Sequence, residues 1–124
     1  MIYGLGTDIA EVDRVAEKLK RNPALIQHIF SEEEQDYCSK QKHPYVSYTA
    51  RFAVKEAFLK AFGVDFIGNH ALPEISVHNN TNGKPVVQLT GRTLEAFTKL
   101  GLQHIHVSIS HTMQYAVASI ILEK

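Results

Sequence analysis

The run Arg-Phe-Ala-Val-Lys-Glu-Ala-Phe-Leu-Lys-Ala-Phe-Gly at residues 51–63 constrains the fold more than any other part of the sequence. Its Ala, Leu, Lys, Glu and Arg favour a helix, and Gly63 stands where a helix can stop in a left-handed cap. At 100° per residue the apolar side chains cover nearly the whole circumference, so this helix must be buried or lie at a subunit interface. Four charges interrupt it. Arg51 and Lys55 fall on one side, Glu56 and Lys60 on another, with each pair spaced i, i+4. Glu56 and Lys60 can form a helix-stabilising ion pair worth about 0.3 kcal/mol. The same residues can also serve a phosphate-and-metal site, because buried charge is costly unless it has a partner. The helix alone leaves both readings open.

The other elements must cover that helix. A chain of 124 residues fits one domain, 1–124, and can bury about two-thirds of its unfolded surface. Thirteen basic and thirteen acidic residues cancel, so no overall charge attracts nucleic acid and any charged partner must meet a local patch. Cys38 is the only cysteine, which excludes an internal disulfide and fits a reducing cytoplasm. The N-terminal Met-Ile-Tyr-Gly-Leu-Gly-Thr-Asp lacks the basic and apolar regions of a signal peptide. No apolar stretch approaches the length of a membrane span.

Along the chain, Ile2 to Leu5 reads as a short strand closed by Gly6, Thr7 and Asp8. Asp8 and Glu11 match a capping box, and Val12, Val15, Ala16 and Leu19 follow at helical spacing. Arg14, Lys18 and Arg21 form a basic stripe on the opposite face, which by itself is an ordinary solvated surface. Asn22-Pro23 breaks the helix and starts another with Leu25, Ile26, Ile29 and Phe30 on its apolar side. Ser31 and Glu34 form a second capping box, with Glu32, Glu33 and Glu34 placed where the helix dipole favours acids. After the loop from Gln41, Pro44 opens the long helix that runs to Phe62. Residues 64–73 read as irregular. Glu74–His78 and Pro85–Leu89 read as a hairpin around the turn residues Asn79 to Gly83. A short helix over Leu94–Leu100 ends at Gly101. Ile105, Val107 and Ile109 then alternate with polar residues in a half-buried strand, and Tyr115–Leu122 follows as an apolar closing strand. The predicted order is strand, three helices, hairpin, short helix, hairpin. That is an α+β fold with an antiparallel sheet against the long helix.

Three familiar signatures fail on their spacing. Gly4-Leu5-Gly6 lacks the third glycine of a dinucleotide fingerprint, because position 9 is Ile. Seven histidines with one cysteine, and neither an H-E-x-x-H nor a C-x-x-C pattern, do not make a zinc site. Ser110 and His111 are neighbours on a strand and point to opposite faces, so they do not form a nucleophile–base pair. At the mouth of a turn, His111 suits either binding an anionic substrate or a structural role.

Three motifs in order resemble one family. They are Gly4-Leu5-Gly6-Thr7-Asp8-Ile9, Arg51-Phe52-Ala53-Val54-Lys55-Glu56-Ala57-Phe58 and His106-Val107-Ser108-Ile109-Ser110-His111-Thr112, with the turn Asn82-Gly83-Lys84-Pro85 between them. Length, order and spacing are similar to those of the holo-acyl-carrier-protein synthases, the short single-domain phosphopantetheinyl transferases. The resemblance implies transfer of the phosphopantetheine arm of coenzyme A to a serine of apo acyl carrier protein, releasing adenosine 3',5'-bisphosphate. It implies Mg2+ on Asp8 and Glu56, Lys60 beside the pyrophosphate, and Glu56, Lys60 and His111 as the catalytic set.

The resemblance further implies that Arg51, Lys55, Lys60, Gly63, Asn82, Gly83, Lys84, Pro85, Ser110 and His111 bind coenzyme A. It implies a homotrimer with active sites between subunits, and Arg14, Lys18, Arg21 and Leu25 as the docking face for the acidic carrier. Two departures stand out: Val64-Asp65-Phe66 replaces a usual Gly-Thr-Gly, and Tyr48-Thr49-Ala50 a usual Leu-Ala-Gly. The rival reading is a non-catalytic oligomeric module that binds nucleotides or an acidic partner, with Glu56–Lys60 as a structural pair. A metal-dependent nucleotide hydrolase is a third.

Overall fold

In this computed structural model, which describes residues 1–63 and 72–124, the long helix is the axis of the fold. Strand β1 spans Ile2–Glu11, and helices α1 (Val12–Arg21), α2 (Ala24–Ile29), α3 (Glu32–Ser39) and α4 (Pro44–Phe62) follow. A 3-10 turn at Leu72–Glu74 leads into β2 (Ile75–Asn79) and β3 (Pro85–Leu89), then α5 (Gly91–Lys99), β4 (His104–His111) and β5 (Tyr115–Glu123). The α+β reading holds. Four helices precede the hairpin where the predicted order counts three; the Ser31–Glu34 capping box opens a separate helix, as its pattern implies, with both of its hydrogen bonds formed. Proline at the first position opens α4, and Gly63 closes it at φ 112°, ψ 112°, a positive-φ cap outside the left-handed helical region.

The strands form two sheets. One is three-stranded and antiparallel in the order β1-β5-β4; the other is the β2-β3 hairpin. Twelve of the nineteen residues of α4 are buried. Its neighbours in the core are Ala118, Ile120 and Leu122 of β5 and Ile75, Val77, Val87 and Leu89 of the hairpin. A second cluster of Leu19, Phe30, Cys38 and Tyr48 ties α1, α2 and α3 to the start of α4. No helix among the described residues is long and apolar enough to cross a membrane.

The start of the chain departs from expectation. Strand β1 does not stop at Leu5: it pairs with β5 as far as Glu11↔Tyr115, and Asp8 lies opposite Ala118. Asp8 is therefore not an N-cap. The helix begins at Val12 after Glu11, without a side-chain cap. Strand periodicity also gives Gly4-Leu5-Gly6 its reason. Gly4 and Gly6 lie on the face of β1 that packs against α4, where a Cβ on Gly6 would strike the backbone of Ala57 and Ala61. The row Ala53, Ala57, Ala61 gives α4 a shallow side, and the two glycines let the strand settle onto it. On the other face of the sheet, Leu5, Ile9, Tyr115 and Val117 stay exposed.

Candidate active site

The close seating of β1 on α4 fixes the first half of the site. Asp8 projects from the glycine side of β1 toward the helix turn that carries Glu56 and Lys60. Lys60 Nζ donates to Asp8 Oδ1 at 3.1 Å and to the Thr7 carbonyl at 3.0 Å. The spacing-based Glu56–Lys60 pair is thus replaced by a pairing across the strand, which leaves the Glu56 carboxylate available. Burial raises the Glu56 carboxyl above its ordinary value, and the nearby negative charge of Asp8 adds to the rise while Lys60 opposes it. Two carboxylates held together with one cation between strand and helix make a site that welcomes further positive charge.

Asp8 and Glu56 open onto a cleft of about 550 Å3 that also contains Arg14, Lys18 and Leu25. Leu19, Ile29, Phe30 and Phe52 give it an apolar floor. Three of the four expected carrier-docking residues therefore line the same cleft as the carboxylates. Arg21 does not, and its guanidinium instead pairs with Glu17 at 2.6 Å on the exposed side of α1.

A second cleft, of about 430 Å3, gathers Arg51, Gly83, Pro85 and His111. The Arg51 guanidinium lies 4.3 Å from the Tyr37 ring centroid and donates to Ser47 Oγ at 3.2 Å. Its Nε is buried and has no hydrogen-bond partner among the described residues. The turn at the far wall is held by Asn80 Oδ1, which accepts from the backbone N–H groups of Asn82 and Lys84. Lys42, His43 and Met113 also line this cleft. In sequence Lys42 and His43 read only as part of a loop, and their position just before Pro44 is the one available signal.

Other expected site residues go elsewhere. Lys55 is wholly buried, and its ammonium donates to Glu34 Oε1 at 2.6 Å and to the carbonyls of Leu72 and Ile75. All three donors are used inside the protein, and Lys55 lines neither cleft. Burial pulls its ammonium below the ordinary lysine value, and Glu34 pulls it back. Ser110 is exposed and lies outside both clefts, on the opposite face of β4 from Ile109, which lines the second one. Gly63, at the end of α4, lines neither cleft. Val64-Asp65-Phe66 falls outside the described residues. Tyr48, Thr49 and Ala50 are buried, away from the carboxylates, and Thr49 bonds back to the Tyr45 carbonyl.

Comparison with known proteins shows the family. The family described as the 4'-phosphopantetheinyl transferase superfamily matches residues 4–120. The holo-[acyl-carrier-protein] synthase of Geotalea daltonii is 42% identical over 125 residues, with 100% of both chains covered. That of Syntrophus aciditrophicus is 40% identical over 99% of this chain and 97% of its own. Among solved structures, the holo-[acyl-carrier-protein] synthase of Neisseria meningitidis superposes with TM-score 0.92 at 29% identity over the whole of both chains. The Bacillus anthracis synthase, solved in complex with CoA (3',5'-ADP), gives TM-score 0.81 at 30% identity over 100% of this chain and 98% of that one. Matched from end to end in sequence and in fold, the chain belongs to the holo-acyl-carrier-protein synthase family of the 4'-phosphopantetheinyl transferase superfamily.

Proposed function

We propose that this protein transfers the 4'-phosphopantetheine group of coenzyme A to a serine of apo acyl carrier protein, giving holo carrier protein and adenosine 3',5'-bisphosphate. The observation that carries the reading is the convergence of Asp8 from β1 with Glu56 and Lys60 from α4 at one end of the carrier-facing cleft. Attack on a pyrophosphate asks chiefly for alignment and charge neutralisation, and these three side chains supply both. The Lys60 ammonium, more than half exposed, stabilises negative charge that grows on the phosphate oxygens. The Glu56 carboxylate, its basicity raised by burial and by Asp8, takes the proton of the carrier serine hydroxyl. Arg51, His111 and the Asn82–Pro85 turn hold the nucleotide end of coenzyme A.

The donor set fits magnesium. Among the described residues no group of three or more His, Cys, Asp or Glu side chains could hold a metal, and Asp8 and Glu56 are two carboxylates on one cleft. A hard divalent cation that keeps its waters and uses substrate phosphate oxygens suits two carboxylates. Bound there, Mg2+ would neutralise the pyrophosphate and the two facing carboxylates together.

A homotrimer completes the reading. The carboxylate cleft and the Arg51–His111 cleft share no lining residue. Five positions separate Arg51 from Glu56, which turns their side chains about 140° apart on the helix. A coenzyme A molecule that needs both halves is best served where the carboxylate cleft of one subunit meets the nucleotide cleft of the next. The exposed Leu5, Ile9, Tyr115 and Val117 on the open sheet face supply apolar surface for that contact. The reaction is assigned to the cytoplasm, and a free, buried Cys38 fits a reducing compartment. The test is incubation of the chain with coenzyme A, Mg2+ and apo acyl carrier protein, followed by intact mass. The expected result is one phosphopantetheine on the carrier serine, lost when Mg2+ is omitted. No mass gain on any of several carriers refutes the reading, and coenzyme A binding without turnover supports the non-catalytic rival.

A further inference from the structure

The nucleotide cleft is assembled from α3, the loop at 41–43, α4, the β2–β3 turn and the end of β4. Its width depends on how α3, α4 and β2 are fixed against one another, and one buried contact touches all three. Lys55 of α4 reaches Glu34 of α3 at 2.6 Å, the Leu72 carbonyl at 2.9 Å and the Ile75 carbonyl of β2 at 2.5 Å. Glu34 Oε1 also accepts from Ser31 N at 3.0 Å, and Oε2 accepts from Val77 N of β2 at 3.0 Å. Neither side chain has any exposed surface. No step of the transfer uses them.

Stability alone does not account for such a pair, because apolar replacements of a buried ion pair are often neutral or better. What the pair adds is direction. Apolar surfaces can slide, whereas five hydrogen bonds from two charged groups allow one arrangement. β2 runs from this anchor to Asn79, and the turn that faces Arg51 follows at once. A shift at Ile75 or Val77 is therefore carried to the wall of the cleft. Two lighter contacts follow the same seam, Ser31 Oγ with Ser76 Oγ at 2.7 Å and Asn79 Nδ2 to Tyr37 Oη at 2.9 Å, and these remain when the ion pair is removed.

We propose that Lys55 and Glu34 are a positioning pair for the coenzyme A cleft: without touching the ligand, they set the distance between Arg51 on α4 and the turn at the tip of the hairpin. The proposal rests on reading that cleft as the coenzyme A site. It is tested by steady-state kinetics with coenzyme A, Mg2+ and apo carrier protein on Glu34→Gln, Lys55→Met and the double variant, beside thermal melting.

Lys55→Met leaves Glu34 buried and unpaired, so it is expected to melt well below the wild-type chain, and the double variant to recover most of that loss. KM for coenzyme A is expected to stay about tenfold raised in the double variant, with kcat within about threefold of wild type, because the wall is restored in stability but not in place. A double variant with wild-type KM overturns the proposal. So does a Glu34→Gln chain with unchanged KM beside a Lys55→Met chain with raised KM, which would make Lys55 a direct ligand. Glu34→Gln keeps its shape and acceptor oxygen, so the comparison survives misfolding of the other variants. An inactive wild-type chain overturns the functional reading as well, whereas an active one with unmoved KM overturns the positioning pair alone.

Discussion

Replacing Gly6 with alanine adds one methyl group at a point where β1 and α4 leave no room for it. The new Cβ would overlap the Ala57 carbonyl oxygen, and would stand 2.8 Å from the Ala61 nitrogen and 2.9 Å from the Ala57 carbonyl carbon. A relaxed contact needs about 3.5 Å, so strand and helix must part by ~0.7 Å (3.5 − 2.8) against the nitrogen alone, and by more against the oxygen. The strand cannot retreat freely, because Gly6 is held in register opposite Ile120 of β5. Overpacking of this kind costs about 1–3 kcal/mol, here toward the upper end because backbone meets backbone. That corresponds to a melting temperature lower by roughly 5–10 °C. Asp8, two residues along the same face, moves with the strand, and a misplacement near 1 Å costs about 100-fold in rate. The assay is carrier phosphopantetheinylation followed by mass, beside calorimetric melting. Gly4→Ala is the control: its Cβ meets Ala61 instead, so a similar melting loss is expected with a smaller loss of rate. Ala57→Gly should rescue neither, since the obstacle is a carbonyl group and not a methyl. Wild-type melting and rate in Gly6→Ala refute the reasoning; equal rate losses in the two variants would assign the effect to folding and not to Asp8.

Glu56→Gln is expected to abolish transfer yet raise the melting temperature of the metal-free chain at pH 7. Because the folded carboxyl lies above its ordinary value of 4.5, its stabilising contribution is full below pH 4.5 and is lost as pH rises through the raised folded value. The advantage of the variant in chelator should therefore vanish toward pH 4.5 and below, and a variant that melts lower at pH 7 contradicts the raised carboxyl. Leu5→Arg places a charge on the open sheet face and should give monomers by sedimentation, with transfer lost; an unchanged oligomer shows that this face is not the subunit contact. Arg14→Glu with Lys18→Glu should raise KM for the acidic carrier about tenfold at low salt and leave KM for coenzyme A unchanged. Equal shifts in both constants would place these residues at the nucleotide instead.

Much of the fold was legible because its signals are local. Proline at 44, glycine at 63 and the Ser31–Glu34 box act within a single turn of chain, and the hairpin and the closing strands declare themselves by alternation. β1 was misread for an equally local reason. Gly6, Thr7 and Asp8 are turn formers by composition, and Asp8 with Glu11 satisfies a capping pattern, yet nine paired positions with β5 outweigh those preferences. That pairing lies more than 100 residues away in sequence, where no window along the chain can reach it.

The four charges of α4 show the same limit at the site. Spacing placed them in two pairs on two sides, and both sides are real, but spacing cannot say what stands opposite. Opposite Glu56 and Lys60 is a strand stripped of side chains at Gly4 and Gly6, close enough for Asp8 to take the Lys60 ammonium. Opposite Lys55 is Glu34, whose visible role as a capping residue concealed a second one as counter-ion. Arg51, one turn back, has no such counter-ion among the described residues: its guanidinium lies over the Tyr37 ring, and the residue lines the second cleft. Two lysines five residues apart on one helix thus part company: Lys55 turns inward to Glu34, and Lys60 stays at the surface beside Asp8. The difference is set by the partner strand and helix, so a lysine in an inherited motif is identified as a ligand only once its counter-charge is known.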